Sequence, residues 1–483
     1  MTWVGISRHT DGLPEGPRGL PLVGSLPMFQ HDALAFLLAC YRRYGNVVTL
    51  RLLSSRVVAF FGPEQVRQML VLSDDVAEKA ASPMHERFAR IWGRGIVSTA
   101  GEEHRLHRKI VQRAFAAPSI RAYQAITRDV ARVQLARWKP GDEIDLVAEI
   151  VRIGQMITSQ VLFGMDVSGD PTGFARAMTT ASSTLDSPTA AMATALVPWN
   201  IPGVSRGGSV RRSLGVIRTW VDRVDRKEKE IDERCVCRNL LDIGRTESER
   251  WGVDEVLGNL IQLYMTGYDT TTWSMVWTLY LLAQHPDACR RLLDELGARL
   301  RADEPEHDEL GTLEYLDAAS KESLRLYPTG PYGFRSAVDD FEIDGARVPR
   351  GARLLYSPYV THRCREVFAA PETFDPERFY AGRTYPPGAY IPFGMGLRSC
   401  VGAGLATMQI KTLVPMILRR FRLDIVPGQR IRAISIDALH LEPGLRVRIA
   451  EQDGDTARSR ADVHGNVVGA VPRPGARWRN RSS

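Results

Sequence analysis

The sequence lacks any run of about 18 apolar residues, the length a helix needs to cross the hydrocarbon of a bilayer, so no integral membrane anchor is expected. Its opening, "MTWVGISRHTDGLPEGPRG", lacks the charged start, apolar core and cleavage site of a secretory leader, which makes a cytoplasmic location the expectation. Cysteine is scarce. Cys40, Cys235, Cys237, Cys289, Cys364 and Cys400 are scattered along 483 residues, which argues against a disulfide framework and suits a reducing compartment. The pair in "RCVCRN" has no second Cys/His pair nearby with which to hold a metal ion. No GxGxxG turn and no cysteine cluster occur, so neither a flavin or nucleotide module nor an iron–sulfur centre is expected. Basic excess is also local. Of a net charge of +7, the six arginines and one aspartate from Thr456 to Ser483 supply +5. Residues 451–483 therefore read as a solvated Arg-rich tail, and the near-neutral remainder argues against a nucleic-acid partner.

The sequence has ample material for a core, with 44% hydrophobic and 25% charged residues. Neither an internal repeat nor a linker divides it. One domain is expected over 13–450, preceded by flexible residues 1–12. "ALAFLLACYRRYG" predicts an amphipathic helix closed by Gly45, and "NVVTLRLLSSRVVAFFG" predicts a hairpin turning at Ser54-Ser55. From about Pro63 to Arg325 the pattern is helical, broken by loops such as "VPWNIPGVSRGG". Strand signals return at "FEIDGARVPRGARLLYSP" and near "LHLEPGLRVRI". The expected fold class is mainly α with small β-sheets (α+β).

Chemistry concentrates at "YIPFGMGLRSCVGAGLATMQI". A single cysteine is most often a small buried hydrophobe. Cys400, however, stands among Gly394, Gly396, Gly402 and Gly404 and just before a helical pattern. Glycines let a backbone approach something large and flat. Backbone N–H groups at a helix N-terminus, with Arg398 nearby, favour a thiolate. Such a thiolate suits an axial ligand to haem iron.

The stretch "FGMGLRSCVG" resembles the haem-binding signature of cytochromes P450, with Phe393, Gly396, Arg398, Cys400 and Gly402 in the matching positions. The resemblance implies a P450 fold over Leu13 to Ala450 and heme b as cofactor. It makes Cys400 the iron ligand, has Phe393 shield the sulfur, and has Arg398 meet a haem propionate. "GEEHRLHRKIVQRAF" resembles the family's propionate-binding helix, with His104 and Arg108 in register, and Arg335 resembles a third propionate partner. Taken alone, the same helix reads as a solvated basic face; its Lys109 and Arg113 would then face outward and could dock an acidic partner.

"DEVLGNLIQLYMTGYDTTTWSMVWTLYLLAQHP" predicts one long helix from about Asp254 to Gln284, roughly 45 Å in length, ended by His285-Pro286. Its middle, "TGYDTTT", is polar. Hydroxyls there can simply bond back to the preceding turn. The segment also resembles the family's oxygen-activation motif: Gly267, Asp269 and Thr270 match, and Thr266 replaces the usual small residue. The resemblance makes Thr270 the residue that stabilises iron-bound oxygen and Asp269 a helper in proton delivery. Glu322 and Arg325 in "KESLRLYP", three apart on one helical face, resemble the family's Glu-x-x-Arg pair, and Arg378 of "PERF" resembles the arginine that completes it.

These matches imply a haem-thiolate monooxygenase that puts one atom of O2 into a lipophilic small molecule, a terpenoid, fatty acyl, polyene or aromatic metabolite. Electrons would come from NAD(P)H through a separate ferredoxin or flavodoxin and its reductase. Met265, Thr266 and Tyr332 are the candidate substrate contacts, with Pro83–Trp92 and Thr329–Phe334 as further wall segments and Thr179–Trp220 as a lid. A monomer is expected. Two other readings remain: a P450-fold isomerase, dehydratase or peroxygenase needing no redox partner, and a non-catalytic haem-binding protein.

Overall fold

The structure is a computed structural model and describes residues 6–7, 13–53, 55–71, 77–78, 93–165, 207–226, 232–249, 251–435, 438–442, 444–468 and 470–471. Segment Pro83–Trp92, most of Thr179–Trp220, nearly all of residues 1–12 and residues 472–483 lie outside the described residues.

The amphipathic helix forms over Ala33–Tyr44, with Asp32 accepting from Ala35 N–H and Gly45 (φ 88°) ending it. Its apolar face lies on the predicted hairpin, where Val47–Leu52 pairs antiparallel with Ser55–Phe60. That hairpin becomes one side of a five-stranded sheet. Arg353–Tyr356 adds in parallel to Ser55–Phe60, then Gly333–Ala337 and Ala77–Glu78 follow antiparallel.

The main core is helical. The long helix runs unbroken over Val253–Gln284, one residue longer than predicted. Gly252 N–H donates to Glu255 at its start (2.9 Å), and Pro286 opens the next helix at its end. It packs against Leu146–Phe163, which in turn packs on Ala117–Leu135. Leu146–Phe163 is long and apolar enough to cross a membrane, but Glu149 and Arg152 interrupt it and its apolar side chains belong to the main core. Ala403–Leu418 lies beside the long helix and Ala117–Leu135, and carries the cysteine loop on its N-terminal end.

The expected tail boundary needs correction. Ordered structure continues past residue 450: a 3-10 turn at Thr456–Ser459 is followed by strand Val463–Gly465, which pairs in parallel with Arg430–Ser435. The sequence masks this, because apolar residues such as Val463, Val467 and Val468 are scattered among many polar ones.

Candidate active site

The cysteine loop is a tight turn ahead of a helix. Cys400 N–H donates to Phe393 O at 2.8 Å, and Gly402 is the N-cap of Ala403–Leu418. Its glycines serve two needs. Gly394 (φ 69°) and Gly396 (φ 73°) take left-handed backbone, and a Cβ on Gly396 would stand 2.4 Å from Leu70 O. Gly402 instead faces the cavity, where an added Cβ would meet only Cys400 Sγ at 3.8 Å. A flat partner is thus admitted at Gly394 and Gly402, which both line the cavity, while Gly396 is needed for the turn.

Cys400 is exposed, unlike the other five cysteines. Burial pushes the thiols of Cys40 and Cys289 up to about 12 and those of Cys235 and Cys364 to about 11. They are inert core groups. Among the described residues no His/Cys/Asp/Glu cluster could hold a metal ion.

Above Cys400 opens a cavity of about 370 Å³. His104, Arg108, Phe393, Arg398, Cys400 and Gly402 all line it, as do Thr266, Gly267, Thr270 and Tyr332. Arg108 donates to Ser399 O (2.8 Å) and Ser399 Oγ (2.9 Å), and Arg398 to Thr99 O (2.9 Å), so both guanidiniums are braced at the cavity edge. Arg335 sits one layer back. It is 5% exposed, lies over Tyr356 of the wall, and gives one N–H to Phe334 O. Its Nε is buried with no partner. An unmatched buried arginine donor is costly, and it marks where an anionic group belongs.

The hydroxyls of the polar notch bond back to the preceding turn, and some of them also line the cavity. Hydroxyls form a ladder of back-bonds: Thr266 to Gln262 O (2.8 Å), Thr270 to Thr266 O (2.7 Å), Ser274 to Thr270 O (2.8 Å) and Thr278 to Ser274 O (2.7 Å). Thr266, Thr270 and Ser274 of that ladder also line the cavity, together with Gly267, around whose Cα there is open space. Asp269 does not line it. Its carboxylate accepts from Trp273 Nε1 (3.0 Å) and lies 3.4 Å from His440 Nε2. Met265 is absent from the wall too and packs against the core, which corrects its candidacy as a substrate contact.

Behind the loop, Glu322 and Arg325 are both 0% exposed and meet in a two-pronged pair (2.7 and 2.8 Å). Arg325 also donates to the carbonyls of His362, Pro371 and Thr373. Arg378 Nε (3.3 Å) and Asp375 N–H (3.0 Å) complete the coordination of Glu322. Burial pushes the Glu322 carboxyl up, while Arg325, the Asp375 N–H and Arg378 pull the other way. The three-residue network is therefore assembled as the motif implied.

Lys109 and Arg113 do face outward, but both pair with Glu247 of the helix Val236–Glu247. Sequence reasoning missed several residues that hold the site. Asn259 and Gln262 on the long helix accept from Ile96 and Val97 N–H and fix the loop that carries Thr99. His362 accepts from Ile391 N–H (2.8 Å) just before the cysteine turn. No spacing rule exposes contacts 29 to 165 residues apart.

The site is a thiol held at a helix start under an apolar-walled cavity with braced cations at its edge, the architecture of a haem-thiolate protein. The cytochrome P450 family model matches residues 14–447, and the chain belongs to that family. It is 30% identical over 85% of its length to the cyclooctat-9-en-7-ol 5-monooxygenase of Streptomyces melanosporofaciens, covering 90% of that protein. It is 24% identical over 92% of its length to the pentalenene oxygenase of Streptomyces avermitilis, covering 98% of it. Its fold matches that of retinoic acid-bound cyanobacterial CYP120A1 with a TM-score of 0.78 at 24% identity, over 91% of this chain and 99% of that one. The activity class is that of a P450 monooxygenase. The residues fit the haem this family carries: an exposed thiol, open space over Gly402, and an orphaned buried donor on Arg335.

Proposed function

We propose that this chain hydroxylates a terpenoid-sized lipophilic substrate in the cavity over Cys400. The observation that carries this is the cavity wall: Ile96, Val97, Val161, Leu162 and Leu263 face it, with no carboxylate among the described lining residues. Two relatives named for oxygenating cyclooctat-9-en-7-ol and pentalenene support the terpenoid class. Haem, when bound, supplies the iron at which oxygen is activated. Cys400 would hold it, with His104, Arg108, Arg335 and Arg398 facing its carboxylates. Thr270 Oγ1, back-bonded to Thr266 O, can pass a hydrogen bond between the cavity and the helix. Asp269, one residue earlier, would resupply the proton. Tyr332 and Thr266 would shape the substrate face. Electrons would arrive from a ferredoxin or flavodoxin and its reductase in the cytoplasm.

Spin-state titration with a panel of terpenes and terpene alcohols tests the substrate class. Fatty acids responding while every terpenoid is silent would overturn it. Thr270→Ala is expected to cut product formed per NADPH several-fold and release peroxide instead; unchanged coupling would remove Thr270 from the relay.

A further inference from the structure

Asp269 presents a geometrical problem. Its neighbours Gly267, Thr270 and Thr271 line the cavity, but at 3.6 residues per turn its own side chain leaves the helix about 100° away from that of Thr270. Two groups hold the carboxylate there. Trp273 Nε1, one turn on, donates to Oδ1 at 3.0 Å. His440 Nε2 stands 3.4 Å from Oδ2. The indole is only 7% exposed. His440 comes from a different element, the strand Leu439–Glu442, where it lies opposite Ile434. Its ring is stacked on Trp273, with centroids 4.7 Å apart and planes 17° apart. Stacking on the indole places the ring within ion-pair distance of the carboxylate, short of hydrogen-bond geometry. Asp269 and His440 are both about one-fifth exposed, so their mutual attraction is only partly screened.

We propose that His440 is a positioning residue that latches Asp269 off the cavity, with its charge setting how readily the carboxylate turns toward Thr270. As imidazolium, His440 holds the carboxylate in an ion pair. As neutral imidazole it holds it weakly, and only the Trp273 bond must then open. His440 is the looser of the two anchors and the only one whose charge changes in the physiological range. Charged groups on the elements packed against it are Asp269 on the long helix, and Glu442 and Arg432, which oppose each other two residues along the hairpin. The inference rests on Asp269 delivering protons, and the test separates the two.

Product formed per NADPH is measured from about pH 6 to 8 in the wild-type holoprotein and in His440→Phe, His440→Gln and Asp269→Asn. His440→Phe keeps a flat ring on Trp273 and loses the charge. His440→Gln keeps a neutral donor. The wild type is expected to couple roughly threefold less well at the acid end, the scale of one part-exposed ion pair. Both His440 variants should lose that acid arm while keeping their thiolate carbon monoxide band. Asp269→Asn should uncouple at every pH. An acid arm retained in both His440 variants, with Asp269→Asn uncoupled, overturns the latch and leaves the relay standing. A silent Asp269→Asn overturns the relay itself. A readout independent of turnover is the histidine NMR titration of the ferrous carbon monoxide form. His440 should titrate at lower pH in Asp269→Asn than in wild type, and an unmoved midpoint overturns the ion pair.

Discussion

A buried arginine without an anion is a cost that the folded chain sustains at Arg335. Its Nε has no partner, and its Nη1 donates to the neighbouring Phe334 carbonyl. The haem carboxylate that would complete it forms a charge-assisted bond, worth ~1.5–3 kcal/mol. Arg335→Met should therefore raise the rate of haem loss to an apomyoglobin acceptor by roughly tenfold, and Arg335→Lys should recover part of it. Equal rates in all three proteins would show that Arg335 is only packing on Tyr356. This residue was legible in the sequence only through family resemblance. Its distance from the cavity wall was not, because strand register decides which way it points. Cys400, in contrast, was readable on its own: one cysteine among glycines before a helix is an unusual local choice, and local choices survive in sequence.

Two elements converge on the cysteine loop from behind, and each carries one buried titratable anchor. Glu322 ties the helix Glu314–Leu326 to the segment from Ala370 to Arg378. Glu322→Gln leaves Arg325 buried with half its pairing, a loss of roughly 3–5 kcal/mol. It should give holoprotein that unfolds at lower urea, with haem lost in the same transition; an unshifted midpoint would refute the scaffold role. His362 ties the same region to the cysteine turn through Ile391 N–H. Burial first, then Arg325 and Arg363, lowers its pKa to about 3. The folded state thus keeps His362 neutral where the unfolded chain protonates it. Stability from this group is full above about pH 6.5 and is lost as pH falls toward about 3. His362→Gln keeps an acceptor for Ile391 without titrating. The loss of stability between about pH 7 and 4.5 should be smaller in it than in wild type by roughly 2–3 kcal/mol. Urea midpoints at the two pH values check this, and parallel losses would mean His362 is already charged. The Glu322–Arg325 spacing marks a helix face and could be read directly. The His362 contact spans 29 residues of irregular chain and could not.

At the scale of the whole molecule, the helical core and the hairpin were legible because periodicity over 10 to 30 residues is a local signal. The end of the domain was not. Charge composition made residues from 451 onward look like a solvated tail, yet the described part of that stretch closes the core. Val463 and Val467 are buried with the main cluster. Val468 N–H donates to the hydroxyl of Tyr327 (2.7 Å), a fully buried side chain stacked on Trp277. Tyr280 and Gln284, at the end of the long helix, donate to Val468 O and Ala461 O. These bonds hold the distal half of the helix whose middle forms the notch. Removing residues 451–483 would take away the apolar burial that Val463 and Val467 contribute to the main core, at ~1.5–3 kcal/mol each. It would also strand the Tyr327 hydroxyl in the core, at ~1–3 kcal/mol. Losses of that size rival the ~5–15 kcal/mol that keeps a domain folded. A chain ending at Ala450 should therefore yield little soluble holoprotein. Tyr327→Phe in the full chain should cost less, because it keeps the valine burial and leaves only the part-buried Val468 N–H to find another partner. A truncated chain with a normal carbon monoxide band and an unshifted thermal midpoint would return the segment to the status of a tail.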